Sequence, residues 1–123
     1  MSLESLIRQG IIEIDEGYRS NDLSKLTKNY ASNVVSIDVK TGKIYVGEKG
    51  LTELLQEWAG PMEGSKTTAA DEKFEGSEQL IRYACTTTTV LKDGKQFVAK
   101  VLQYWRQVDG KYVVETDLFE LLD

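Results

Sequence analysis

The side chains that could carry chemistry in this chain are carboxylates, tyrosines and lysines, because the 123 residues include no histidine. Without histidine there is no Ser-His-Asp or Cys-His nucleophile, no histidine-containing zinc site and no imidazole acid or base. The single cysteine, Cys85, cannot form an intramolecular disulfide and fits a small buried residue in a reducing compartment. Any proton transfer therefore falls to Asp, Glu, Tyr or Lys, and we expect neither a metal ion nor a cofactor.

Asp117 is a carboxylate set among strand-forming apolar residues. Period-two alternation puts it on the same face of its strand as Glu115 and Phe119. A carboxylate in apolar surroundings is costly unless it is paired or protonated. The pattern therefore predicts either a pocket acid or a structural ion pair with Arg106 or Lys100, and it leaves both open.

Charge and length exclude several classes of protein. The 15 basic and 20 acidic residues give a net charge of −5, the wrong sign for binding a phosphate backbone. No apolar run approaches the ~20 residues that span a bilayer, and the first residues lack an export signal. We expect one domain over residues 1–123, cytoplasmic, with no nucleic-acid or membrane partner.

Two Asp-Gly pairs, Asp93-Gly94 and Asp109-Gly110, divide residues 78–122 into three runs of strand-forming residues. Asp-Gly between such runs predicts a two-residue type I′ hairpin turn, and two-residue turns fix the register. One predicted face then carries Ile81, Tyr83, Cys85, Thr87, Thr89, Val98, Lys100, Leu102, Tyr104, Arg106, Val113, Glu115, Asp117, Phe119 and Leu121. The other carries Arg82, Ala84, Thr86, Thr88, Val90, Phe97, Ala99, Val101, Gln103, Trp105, Tyr112, Val114, Thr116 and Leu118. Since neither face is simply polar, we expect helices on one and a second subunit on the other.

The first half of the chain is predicted to form the helices that pack on that sheet and a short hairpin. Apolar spacing over residues 3–18 is typical of an amphipathic helix, and a second helix begins at or next to Asn21 or Asp22. Residues 34–39 and 43–46 predict a short hairpin. A third helix opens within residues 47–50, carries Trp58, and stops at Gly60-Pro61; residues 66–74 form a weaker strand. Trp58 is either a core residue or a ligand platform.

Several loose motifs give this order of elements a family resemblance. They are Asn21-Asp22-Leu23, the segment 30–38, Gly42 and Gly47 around the hairpin, and Tyr104-Trp105-Arg106 leading to the segment 109–112. Nearly the whole chain thereby resembles the nuclear-transport-factor-2-like superfamily, which includes the ketosteroid isomerases and the SnoaL-like proteins. The resemblance implies an α+β cystatin-like cone, in which three N-terminal helices pack on a strongly curved antiparallel sheet.

The resemblance also implies a conical pocket on the concave side and a homodimer formed through the convex side. Tyr83, Tyr104, Asp117 and Phe119 resemble the pocket-lining positions of the isomerases. We expect a ligand to contact Tyr83, Leu102, Glu115, Phe119 and Trp58. The dimer positions that the resemblance implies are Arg82, Gln103, Trp105, Thr116 and Leu118. A small apolar or amphipathic molecule is the expected partner.

Asp38 falls where the ketosteroid isomerases keep an aspartate general base. The oxyanion partners differ, because Ile14 stands where those enzymes have a tyrosine and Tyr104 stands where they have a protonated aspartate. The alternative is that Asp38 is an exposed residue at a strand end. Tyr83 and Tyr104 are either hydrogen-bond donors to an enolate or core aromatics.

Three functions therefore stay open at the level of sequence. The first is a homodimeric pocket protein that binds a small molecule without catalysis. The second is a cofactor-independent isomerase or cyclase, with Asp38 as base and Tyr104 or Asp117 as the polarising acid. The third is a protein-association module that works through its sheet face.

Overall fold

A computed structural model describes residues 2–122 of the protein. The helices are α1 (Leu3–Ser20), α2 (Leu23–Asn29) and α3 (Gly47–Met62). The strands are β1 (Tyr30–Asp38), β2 (Ile44–Val46), β3 (Lys66–Gly76), β4 (Leu80–Val90), β5 (Gln96–Val108) and β6 (Lys111–Leu122). The predicted α+β architecture of helices on a curved sheet is confirmed.

Capping residues set the ends of the first two helices. The backbone N–H of Ser5 donates to the Ser2 hydroxyl (3.1 Å), which satisfies one free donor at the start of α1. Asn21 ends α1 in the left-handed conformation, and Asp22 caps α2 by accepting from the N–H of Ser24 (3.0 Å). The predicted start of the second helix is therefore confirmed.

The third helix runs past its predicted stop. Pro61 lies inside the last turn of α3, which ends at Met62 rather than at Gly60-Pro61. The N–H of Glu63 donates to the carbonyls of Ala59 and Gly60 and closes the turn. A proline this close to the end removes one helical hydrogen bond without breaking the preceding turns.

The six strands form one sheet in the order β2-β1-β6-β5-β4-β3. All neighbours are antiparallel except β1 and β6, which are parallel and bring Ser36 beside Asp117. The sheet is therefore mixed where the sequence predicted an antiparallel one. The weak strand predicted at residues 66–74 is confirmed as the edge strand β3.

The β4–β5 turn has a different length from the predicted one. Asp109 and Gly110 both have positive φ (50° and 79°), as a type I′ turn requires, and that two-residue turn is confirmed. In the other turn Gly94 has positive φ and Asp93 does not, and the N–H of Leu91 donates to the carbonyl of Lys95 (2.7 Å). The loop therefore has three residues, and a slip of one residue turns every side chain of β5 to the opposite face.

A second irregularity restores the face of β6. Trp105 pairs with Val114 but Tyr104 pairs with Thr116, so Glu115 is a bulge residue. The bulge shifts the register by one more residue. As a result Asp117 and Phe119 share a face with Tyr83 as predicted, while the predicted face of β5 is wrong.

The inner face of the sheet holds the core against the helices. Trp105 is fully buried there, and a Cβ atom at Gly10 of α1 would lie 2.7 Å from its ring. Glycine at this position lets α1 approach the sheet closely. Within residues 2–122, no helix combines the length and the apolar character needed to cross a membrane.

Candidate functional site

A cavity of about 450 Å³ lies between α1, α3 and the inner face of the sheet. Most of its wall is apolar, because each of these elements turns its apolar stripe inward. Representative wall residues are Ile11, Ile14, Leu54, Trp58, Val101 and Phe119. No group of three or more His, Cys, Asp or Glu side chains within residues 2–122 is arranged to hold a metal ion.

Asp117 is the polar centre of this cavity. Its side chain lines the cavity and is buried, and its Oδ2 accepts a hydrogen bond from the Tyr30 hydroxyl (2.7 Å). The Gln103 side chain also hydrogen-bonds to Asp117, and Gln103 Oε1 accepts from Trp105 Nε1 (3.0 Å). Tyr18 of α1 hydrogen-bonds to Tyr30 and extends the network to the helix layer.

Burial controls the ionisation of this network. Loss of solvent raises the pKa of the Asp117 carboxyl to about 6, and the hydrogen bonds from Tyr30 and Gln103 only partly oppose it. Burial, followed by the charge of Asp117, raises the pKa of Tyr18 and of Tyr30 well above the ordinary tyrosine value. Both tyrosines therefore keep their protons, and Asp117 titrates close to neutrality.

One margin of the cavity is closed by an ion pair between α1 and β3. Arg8 donates to both carboxylate oxygens of Glu72 (2.9 and 3.2 Å) and lies 5.4 Å from the centre of the Phe74 ring. The Tyr83 hydroxyl donates to Glu72 Oε2 (2.6 Å). Tyr83 is on the cavity face as predicted, but its proton is directed to Glu72.

A second polar pair lies further along α1. Asp15 and Arg19 both line the cavity and form an ion pair (3.2 Å), and Thr67 hydrogen-bonds to Thr89 across β3 and β4 (2.9 Å). Burial raises the pKa of Asp15, and the charge of Arg19 opposes this shift. The two arginines of the cavity wall are therefore each committed to a carboxylate of their own.

Trp58 lies on the cavity wall, half-buried, among other aromatic rings. Its ring centre is 5.7 Å from that of Phe97 and 6.5 Å from that of Phe119, and the second contact is edge-to-face. These distances are typical of stabilising aromatic pairs. Trp58 and Phe119 thus line the cavity, and their predicted role in binding a ligand stays a prediction.

Asp38 does not line the cavity with Asp117. Its Oδ1 accepts from the N–H groups of Lys40 (3.1 Å) and Thr41 (3.3 Å), and its backbone pairs with Lys43 and Gly42. An aspartate that bonds backbone two or three residues ahead stabilises a turn. Asp38 lies at the end of β1 and stabilises the β1–β2 hairpin. It is a strand-end residue, as the alternative interpretation held, but it is buried rather than exposed.

The expected cavity positions of Tyr104, Leu102 and Glu115 are wrong. Tyr104 and Leu102 face away from the helices because the three-residue loop turns β5 over. Glu115 is the bulge residue of β6 and forms an ion pair with Arg106 on the outer side. The enolate donor predicted at Tyr104 therefore lies on the wrong side of the sheet.

The same inversion corrects the predicted dimer face. Gln103 and Trp105 are buried on the inner face and cannot form an external contact. Arg82, Thr116 and Leu118 lie on the outer face as predicted, beside Leu102 and Tyr104.

Sequence reasoning missed three members of the network, Tyr18, Tyr30 and Gln103. Tyr18 ends the predicted helix of residues 3–18 and Tyr30 opens β1, and the spacing around neither residue indicated a hydrogen bond within this network. The position of Gln103 could have been predicted from Trp105. The two residues are two positions apart on one strand and therefore share a face, and a tryptophan is usually buried. The incorrect turn length placed that face outside.

No protein-family model and no curated protein matches the chain. Solved structures do. A cystatin-like-fold protein of unknown function from Nostoc punctiforme superimposes with a TM-score of 0.86 at 14% identity, covering 97% of this chain and 90% of that one. An NTF2-like protein of unknown function from Pseudomonas putida gives 0.81 at 18% identity, covering 95% and 84%.

A third similar structure is an enzyme, a hexachlorocyclohexane dehydrochlorinase (LinA) Type2. Its TM-score is 0.77 at 13% identity, and the alignment covers 98% of this chain and 85% of that one. Identities this low establish the fold alone. The chain has the NTF2-like, cystatin-like fold, as the sequence predicted.

Replacing Asp117 by Asn should remove a pH dependence of stability. Because the folded-state pKa is about 6 and the unfolded value is near 3.9, the native state binds the proton more tightly. The tighter proton binding stabilises the folded state by about 3 kcal/mol. This stabilisation is fully present below about pH 4 and is lost as the pH rises through about 6. The difference in unfolding free energy between wild type and Asp117→Asn, measured by denaturant titration, should change by that amount across this range.

Glu63→Gln is the matched control, because it converts an exposed acid to its amide. It measures the pH dependence that follows from removing an exposed carboxyl alone. A difference for Asp117→Asn that varies with pH no more than this control would contradict the shifted carboxyl.

Proposed function

We propose that the protein binds a small, largely apolar molecule in its interior cavity, with one polar group of that molecule at Asp117. A single observation carries this proposal: a cavity of about 450 Å³ whose wall is mostly apolar and whose buried end carries a carboxylate. Small-molecule sites are typically clefts of ~300–1,000 Å³, lined by hydrophobic and aromatic residues with a few placed polar groups.

The packing of the wall supports this proposal. Trp58 packs against Phe97 and against Phe119 along the wall, and side chains leave the space between the helices and β5 open. The apolar side chains of the wall present surface that a ligand would remove from water, and such burial favours binding by about 25 cal/mol per Å².

Narrowing the cavity should weaken ligand binding. Val101→Phe places a larger side chain into the cavity, whereas Leu102→Phe, one residue further along β5, points to the outer face. We expect Val101→Phe to weaken binding of the neutral fluorescent probe N-phenyl-1-naphthylamine about tenfold or more, equivalent to ~1.4 kcal/mol. Leu102→Phe should bind as the wild type does. Absence of probe binding to the wild type, or equal binding by both variants, would contradict the proposal.

Proton transfer is the second candidate function, and the carboxylate that favours it is Asp117. A general base works best when its pKa lies near the operating pH, and burial raises the pKa of Asp117 to about 6. The carboxylate lines a mostly apolar cavity that could hold a small enolisable ketone. This revises the isomerase hypothesis, in which Asp38 was the base.

Exchange of the α-protons of cyclohexanone in D₂O, followed by proton NMR, tests this function. We expect wild-type protein to accelerate exchange, with half of the maximal rate near pH 6, and Asp117→Asn to lose the acceleration. Asp38→Asn is the matched control, because asparagine can form the same turn, and it should exchange at the wild-type rate. Loss of activity in Asp38→Asn with retention in Asp117→Asn would instead restore the original assignment.

A homodimer formed through the outer face of the sheet is also proposed. The three helices pack against the inner face, and the outer face carries the half-buried apolar residues Ala84, Leu102, Tyr104 and Leu118. Arg82 and Thr116 add polar groups of the kind found at subunit interfaces.

Leu102→Glu should convert such a dimer to a monomer, because it places a charge in the middle of the apolar patch. Analytical ultracentrifugation measures the mass directly. Gln56→Glu, which adds the same charge at an exposed position of α3 on the helical side of the fold, is the control and should leave the dimer intact. A wild-type protein that sediments as a monomer would contradict the proposal.

A further inference from the structure

The polar end of the cavity presents hydrogen-bond acceptors. The single proton of the Tyr30 hydroxyl goes to Asp117, so the Tyr30 oxygen accepts the proton of Tyr18. The Gln103 amide oxygen is held by Trp105, which directs the Gln103 NH₂ group to Asp117. The hydrogen-bond donors around Asp117 are therefore all occupied by partners within the network. The groups available to a ligand are the lone pairs of the carboxylate and of the Tyr18 hydroxyl, which are hydrogen-bond acceptors.

The charge of Asp117 has no cationic partner within residues 2–122. Its hydrogen-bond partners, Tyr30 and Gln103, are both neutral. The cations of the cavity wall are Arg8, which pairs with Glu72 and Glu4, and Arg19, which pairs with Asp15. The wall thus carries one buried negative charge that the arginines do not compensate. A buried charge without a partner is costly, and a ligand that supplies the opposite charge recovers part of that cost.

Aromatic rings line the cavity along much of its length. Tyr18 and Tyr30 lie beside the carboxylate, and Phe119 is two residues from Asp117 on the same face of β6. Trp58 and Phe97 lie further along the wall, because Phe97 is six residues along β5 from Gln103, the partner of Asp117. The faces of aromatic rings attract cations by ~0.5–2 kcal/mol per contact, most strongly when water is excluded. An anion in a pocket of aromatic rings is suited to an organic cation.

We propose that the molecule bound in the cavity is an organic amine in its protonated form, whose ammonium group donates hydrogen bonds to Asp117. Its apolar body lies against Ile11, Leu54 and Val101 of the wall. This inference rests on the proposed binding function and specifies its ligand class. A carboxylic acid would face the charge of Asp117, and a neutral ketone or alcohol would supply no opposite charge.

Several titratable and charged groups face this site. Tyr18, Asp15, Arg8 and Arg19 come from α1, Tyr30 from β1, and Tyr83 and Cys85 from β4, whereas α3 and β5 contribute no titratable side chain to the cavity wall. Burial raises the pKa of Tyr30, Tyr83 and Cys85, so these groups stay neutral around pH 7. Burial also raises the pKa of Asp15, so Asp15 is a second carboxyl whose charge depends on pH, which makes the Asp117→Asn comparison necessary.

Displacement of N-phenyl-1-naphthylamine by benzylamine and by benzyl alcohol tests the inference. The two competitors have nearly the same shape and differ in the charge and donor capacity of one group. At about pH 8 we expect benzylamine to displace the probe at a concentration about tenfold lower than benzyl alcohol. At about pH 5, where Asp117 is protonated but the amine stays charged, the preference should disappear. Asp117→Asn should show no preference at either pH.

The outcomes separate this inference from the proposed function. If benzyl alcohol competes as well as benzylamine at about pH 8, the cavity binds small molecules but the amine assignment is wrong. If the probe itself does not bind to the wild type, the proposed function fails and the inference fails with it. A preference for the amine that persists in Asp117→Asn would place the recognition elsewhere and overturn the role of Asp117. The pH comparison on wild-type protein keeps the inference testable even if Asp117→Asn does not fold.

Discussion

The hydrogen bond from the Tyr30 hydroxyl to the Asp117 carboxylate joins residues 87 positions apart and holds a charge in the centre of the fold. It links the first strand to the last, which are the one parallel pair of the sheet. Tyr18, Gln103 and Trp105 extend it to α1 and to β5. In a medium of low polarity such bonds strengthen one another, and losing one member leaves a buried group unsatisfied. The positions of four elements are therefore tied to one carboxylate.

Close packing of α1 on the sheet keeps water away from this network. Gly10 leaves room for the indole of Trp105, and the indole in turn fixes the amide of Gln103 through its N–H. A side chain at position 10 would push α1 outward, because its Cβ atom would overlap the indole ring. The raised pKa of Asp117 thus depends on a glycine that does not line the cavity.

Sequence patterns predicted the elements well and the faces of one strand incorrectly. Helical spacing, the Asp22 cap and the Asp109-Gly110 turn each depend on neighbours within a few residues, and all three were predictable. The face of β5 depends on whether the Asp93-Gly94 loop has two residues or three, and both lengths suit the same sequence. The one-residue slip moved Gln103 and Trp105 outward and Tyr104 inward. The bulge at Glu115 compensated for it on β6, so Asp117 was placed correctly through two opposing errors.

The site itself could be predicted only as far as its chemistry is local. Asp117 could be identified from the sequence because burying a carboxylate among apolar strand residues is costly. The hydrogen-bond partners that offset this cost come from α1, β1 and β5, which are distant in sequence. A neutral asparagine would also accept the Tyr30 hydroxyl without the cost of burying a charge. Replacing buried ions by neutral groups is often neutral or stabilising, so a structural role alone gives a weak account of an acid here. Within residues 2–122 no basic side chain forms an ion pair with Asp117, and the protonated amine proposed above would supply the opposite charge in the cavity.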